Sequence, residues 1–183
     1  LIGLLMYLIV FFSWIIVSYQ LPVYIIPIAM FSILLTVLLD TTVSLISSTI
    51  LILLVSLLIG NDLDFAIVQF FISFIAILSV RKLRKRRQII TTMLTLVFCS
   101  LFVFFSVMLF KGIDFLDYNY STVGYLALSS FLCPILAFGL VPLFESFFGI
   151  TTDLSLIELL DYDQPLLKKL MEDAPGTHTH SVK

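Results

Sequence analysis

The stretch Phe65-Ala-Ile-Val-Gln-Phe-Phe-Ile-Ser-Phe-Ile-Ala-Ile-Leu-Ser-Val80, followed at once by Arg81-Lys-Leu-Arg-Lys-Arg-Arg87, decides how the chain is read. The first part carries no charge. The second packs most of the chain's 10 basic residues into one short run. An apolar run of this kind approaches the roughly 20 residues that cross a hydrocarbon core. A cluster of Lys and Arg at its end is the feature that holds a short loop on the cytoplasmic side.

Working outward, the same pattern recurs. Apolar runs at about 1–17, 24–39 and 43–59 precede this one, and runs at about 89–110 and 123–148 follow it. Tyr19-Gln20-Leu21-Pro22 breaks the first from the second, because proline lacks an N–H and restricts the residue before it. Asp40-Thr41-Thr42 reads as a short turn, and so does Gly60-Asn61-Asp62. Lys111–Ser121 is a loop with aromatic residues suited to an interface. The expected fold is all-α: a polytopic integral membrane bundle of about six spanning helices, then short amphipathic cytoplasmic helices. With residues 81–87 inside, Asp40–Thr42 and the carboxy tail are also inside. Tyr19–Pro22, Asn61–Asp64 and Lys111–Ser121 are outside.

Composition agrees. Of the 183 residues 61% are hydrophobic and 12% are charged, against about 25% charged in soluble domains. The mean hydropathy is +1.18. A net charge of −2 gives nucleic acid no electrostatic footing, so DNA and RNA are not expected partners. Cys99 and Cys133 lie inside apolar runs and read as small buried side chains rather than a disulfide or metal pair. The basic run reads as a topology determinant that also meets lipid headgroups; no phosphate-cradling glycine motif accompanies it to support an anion site. Ser13, Ser32, Thr36, Ser47, Ser48, Ser73, Ser106, Ser129 and Ser130 are suited to close helix packing. No ionisable residue sits in mid-span, where a transporter would be expected to place one. The chain opens within an apolar run at Leu1 without a charged leader, so this end does not read as a signal peptide. Both ends are expected to continue in a longer protein.

After the sixth run the pattern changes. Thr151-Thr152-Asp153 can cap a helix, and Ser155 with Glu158 has capping-box spacing. Asp163 with Pro165 starts a second short helix, with Leu166, Leu167, Leu170 and Met171 on one face. Ala174-Pro-Gly-Thr177 stops it. These helices suit a coupling linker or a position on the membrane surface. His178 and His180 follow. By residue type alone they are either metal ligands or an ordinary surface pair, since a metal site needs further ligands.

Pro142-Leu-Phe-Glu-Ser-Phe-Phe-Gly-Ile-Thr151, Leu156-Ile-Glu-Leu-Leu160, Gln164-Pro-Leu-Leu-Lys-Lys-Leu170, Glu172-Asp-Ala-Pro-Gly-Thr177 and His180-Ser181 occur in an order and spacing that resemble the junction of bacterial seven-transmembrane HD-domain phosphohydrolases. Characterised members of that family are cyclic di-AMP phosphodiesterases. The resemblance is specific over these 40 or so residues and rests on coarser features over 1–140. It implies a large extracellular domain, seven spans and a cytoplasmic HD domain, with the six spans here the last six. It divides the chain into a transmembrane domain at 1–149, linker helices at 150–177 and the start of the HD domain at 178–183. His180 falls on the position of the family's first metal ligand. His178 and Thr179 stand where the family usually has Tyr and His.

The implied cofactor is a divalent metal pair, manganese or iron, that activates water in the complete protein. One imidazole cannot hold such a pair, so catalysis is not expected from this stretch alone. The implied partners are the plasma-membrane bilayer, a cyclic dinucleotide at the HD domain, and further copies of the chain in a homo-oligomer. The expected role is that of a membrane anchor and sensor region, with Pro134 and Pro142 as candidates for a pivot. A transporter, or a sensor with a different output domain, is the competing reading.

Overall fold

The computed structural model describes residues 1–81, 87–112 and 120–149. Among these residues there are six α-helices: α1 (Ile2–Ser18), α2 (Ile28–Leu38), α3 (Thr41–Ile59), α4 (Leu63–Val80), α5 (Arg87–Phe110) and α6 (Tyr120–Phe148). A 3₁₀ turn, Val23–Ile25, precedes α2. No strand occurs among the described residues. The all-helical reading therefore holds.

The short central helix organises the bundle. α2 packs against α3, α4 and α6; α3, α4, α5 and α6 follow one another around it, and α1 lies mainly on α3. Ile28, Phe31, Ser32, Ile33, Leu34 and Leu35 of α2 are all but inaccessible. At the end where α4 begins and α5 finishes, Tyr24 meets Phe65 at 5.7 Å and Phe104 edge-on at 5.5 Å. Such pairs add to the burial of three large rings.

The surface is the reverse of a water-soluble one. Ser32, Ser44, Ser48, Ser100 and Ser130 are buried, while Phe98, Phe102, Leu109 and Phe110 are exposed. Small hydroxyl residues inside and large apolar residues outside suit a bundle whose solvent is lipid. α3, α4, α5 and α6 are each long and apolar enough to cross a membrane. The protein is a multi-pass membrane protein.

The second helix differs from the sequence expectation. The run 24–39 is not one helix. Ile26 is extended, with φ −61° and ψ 122°, and α2 starts only after Pro27. A residue before proline is pushed out of the α region, and proline has no N–H with which to continue the ladder. The remaining 11 residues span about 17 Å at 1.5 Å per residue, short of the roughly 30 Å core. α1, at 17 residues, reaches about 26 Å. Irregular backbone at membrane depth survives only when protein surrounds it. Here Tyr24, Ile26 and Ile28 are 6%, 1% and 0% exposed.

The turns follow their residues. Asp40 caps α3 by accepting from the Thr42 N–H at 3.2 Å, so Thr41 and Thr42 belong to the helix rather than to the turn. Gly60 and Asn61 take positive φ of 107° and 66°. Asp62 then caps α4, accepting from the Asp64 and Phe65 N–H groups at 3.0 and 3.2 Å.

Candidate functional site

Two features of the bundle stand out: the polar seam at its centre and the long helix α6, which packs on α2 and α5. The seam begins with residue size. Serine lets two helix backbones approach closely, and α2 and α3 use it on facing sides. Ser32 Oγ and Ser48 Oγ are 2.8 Å apart. Ser32 also donates to the Ile28 carbonyl at 3.2 Å. A hydroxyl has one proton, so in this arrangement Ser48 donates to Ser32.

One turn along, Ser44 Oγ donates to the Ser32 carbonyl at 2.7 Å. Thr36 Oγ1 lies 2.7 Å from that carbonyl and 2.9 Å from Ser44 Oγ, and shares its one proton between them. The seam thus closes on itself, with no ionised group inside it.

α4 adds Gln69 and Ser73 to the interior, both buried. Ser48 and Ser73 each lie about three turns from the Gly60–Asp62 connection, which puts them at similar depth. Among the described residues Ser73 Oγ is buried with no hydrogen-bond partner. On α6, Cys133 is buried with its thiol 3.8 Å from Ser129 Oγ. α6 runs unbroken through Pro134, which is buried, and Pro142, which is exposed. Gly149 follows it at φ 64°.

At the end of the bundle near residue 40, the Asp40 carboxyl is held below the ordinary carboxylate range. The Thr42 backbone N–H is the main cause, Thr41 adds to it, and the charge of Arg81 contributes least. Arg81 caps α4, and Arg87 opens α5; the remainder of the basic run lies outside the described residues. At the opposite end Lys111 and Asp64 form an ion pair that ties the end of α5 to the start of α4.

His180, the predicted metal ligand, lies outside the described residues, as do His178, Thr179 and the two linker helices. No group of three or more His, Cys, Asp or Glu that could hold a metal occurs among the described residues. Pro134 and Pro142 are both placed on α6, within one continuous helix. Of the residues expected to pack helices closely, Ser32, Thr36 and Ser48 do meet across α2 and α3, and Ser44, which the sequence reading does not single out, joins them. Its signal was positional: it stands one turn before Ser48, as Thr36 stands one turn after Ser32.

A family model described as a 7TM receptor with intracellular HD hydrolase matches residues 1–152. The cyclic-di-AMP phosphodiesterase PgpH of Bacillus subtilis (strain 168) is 30% identical over 166 residues, covering 87% of this chain and 23% of that protein. The protein of the same name from Listeria monocytogenes serotype 1/2a (strain 10403S) is 47% identical over 60 residues, covering 33% of this chain and 8% of its own length. The chain therefore spans less than a quarter of these curated relatives. No solved structure matches it.

Proposed function

We infer the function from one premise: the chain belongs to the family of 7TM receptors with an intracellular HD hydrolase. We propose that residues 1–149 form the membrane anchor and sensor region of a metal-dependent HD-domain phosphodiesterase acting on cyclic di-AMP. Residues 150–177 are then cytoplasmic linker helices, and 178–183 begin the HD domain. The observation that supports this most is the family match along 1–152, which runs through the whole bundle. The names of the relatives supply the substrate class.

The orientation rests on charge. Residues 81–87 hold the basic cluster, and such a cluster is retained on the cytoplasmic side. The alternation of the helices brings Asp40 and the end of α6 to that side as well, so the carboxy segment enters the cytoplasm. His180 would be one ligand of a divalent pair whose other donors come from the part of the protein that the relatives possess and this chain does not cover. When bound, the metal pair supplies water activation. The work of this chain is positional: it fixes the hydrolase at the inner face and presents α6 as its lever. Regulation would require two packings of α6, each favoured by a different state of the outside.

The test is cyclic di-AMP hydrolysis by the full-length protein with added manganese, comparing wild type with His180→Ala. Activity should fall to a hundredth or less, since even groups that merely orient a metal ligand are worth roughly 10–100-fold. Equal activity in both would remove His180 from the metal site. Hydrolysis of other phosphoesters but not cyclic di-AMP would overturn the substrate.

A further inference from the structure

On the side of α4 away from the seam, a groove of about 730 Å³ opens between α4 and α5. Its walls are apolar and include Ile67, Phe71 and Ile75 from α4 with Phe102 and Phe110 from α5. Cys99, at the inner end, and Lys111, at the mouth, mark its extent along α5. That stretch of helix is about 18 Å long, close to half of the roughly 30 Å hydrocarbon core. The groove is therefore about as long as one leaflet is deep. At its mouth sit Lys111 and Asp64, paired with each other and 45% and 26% exposed.

These dimensions select the occupant. A helix from a second copy would cross both leaflets and would need a groove of full length. A soluble metabolite would need polar groups along the walls, yet Ser106 Oγ already donates to the Phe102 carbonyl at 2.8 Å. An acyl chain needs only apolar walls one leaflet long. The mouth adds charge: a cation and an anion side by side match a headgroup that itself carries both signs. In the connections at this end, residues 19–22, 60–62 and 111–119, Lys111 is the sole basic residue.

We propose that the α4–α5 groove is a binding site for one zwitterionic phospholipid of the phosphoethanolamine type. Its acyl chain lies along Phe71 and Phe102, its phosphate meets Lys111, and its ammonium meets Asp64. The site belongs to the leaflet at the Lys111 end of the bundle, and the assignment is independent of the enzymatic reading.

The experiment uses the whole chain in bilayers containing lipids brominated on the acyl chain, which quench tryptophan on contact. Phe102 is largely exposed, so Phe102→Trp, combined with Trp14→Phe, places a single reporter in the groove without disturbing the core. The wild-type Trp14, exposed on α1, reports ordinary lipid contact. At equal mole fraction, brominated phosphatidylethanolamine should quench the groove reporter about two- to fivefold more effectively than brominated phosphatidylglycerol, the range of one exposed charge contact. Trp14 should show no such preference. Lys111→Gln and Asp64→Asn, each at an accessible position, should bring the ratio to about one. Equal quenching by both lipids in the unaltered groove would reduce the site to general lipid contact, and a preference for phosphatidylglycerol would overturn the headgroup. Protection from every brominated lipid would mean that protein, such as a second copy, fills the groove.

Discussion

The two sides of α4 are built on opposite plans. Its interior side carries Gln69, Ser73 and Ala76, all buried, and α4 packs on α2, α3 and α5. Toward α5 it turns Ile67, Phe71 and Ile75, and the two helices leave a groove of about 730 Å³. Hydrophobicity cannot separate these sides, because lipid offers apolar groups the same environment as a neighbouring helix does. Small polar side chains mark the buried side. They let backbones meet and hydroxyls pair, whereas the rings and branched chains of α4 and α5, helices that also pack on each other, line an outer groove that lipid can fill.

The sharpest way to break this contrast is to place the same side chain on each side. Ser48→Leu puts two additional heavy atoms where Ser32 and Ser48 now touch at 2.8 Å. Overpacking a close interface costs about 1–3 kcal/mol, and the hydroxyl pair is lost as well. Phe71→Leu, on the groove side, should stay within about 0.5 kcal/mol of wild type. Thermal or denaturant unfolding in micelles compares them directly. Equal destabilisation would show that both sides are packed alike.

A finer measurement stays within the seam. The cycle of Ser32→Ala, Ser48→Ala and the double variant should give a coupling of about 0.6 kcal/mol and no more than about 1.7, the range found for interhelical hydrogen bonds in membranes. Ser73→Ala should differ in sign. Its hydroxyl is buried without a partner among the described residues, and an unmet buried donor costs about 1–3 kcal/mol. Removing it should leave stability unchanged or raise it. A loss comparable to that of Ser48→Ala would mean that Ser73 has a partner, such as a water, inside the seam.

Much of this was legible in the chain, for reasons that can be located. Unbroken apolar runs revealed α3 through α6, because a spanning helix must satisfy its backbone internally and leaves a long uniform trace. Asp62 and Gly60 marked a turn through their own side-chain and backbone chemistry. Pro27 was visible, but its consequence was not. A proline near a helix start is compatible with either a first turn or a break, and the break is tolerated only because α6, with Phe65 of α4 and Phe104 of α5, packs against the segment before α2. The groove left no trace either. Phe71 and Phe102 are distant in sequence, and apolar residues facing lipid and apolar residues facing each other read alike. His180 was legible only through its neighbours in the junction, since two histidines alone do not specify a metal.

The smallest effect separates the ends of the seam from its interior. The interior, at Ser32, Thr36, Ser44 and Ser48, contains nothing that titrates near neutrality, so its pairing should not depend on pH. The turn that closes it does contain such a group. The Asp40 carboxyl is lowered from its ordinary value chiefly by the Thr42 backbone N–H, with Thr41 contributing and Arg81 adding a weak charge effect. A carboxyl lowered in the folded state binds its proton more tightly when unfolded, so stability rises with pH through that interval. The contribution is fully present above the unfolded value and is lost as pH falls through the folded one. Because Asp40 is exposed, the change should be slight: a small drop in melting temperature in acid for the wild type. Asp40→Asn keeps an acceptor for the Thr42 N–H, since asparagine caps helices as well as aspartate does, and it has no proton to gain. Its melting temperature should therefore be flatter across the same acid range. If the two slopes coincide, the acid sensitivity lies elsewhere and the Asp40 turn is as insensitive to pH as the hydroxyl seam it closes.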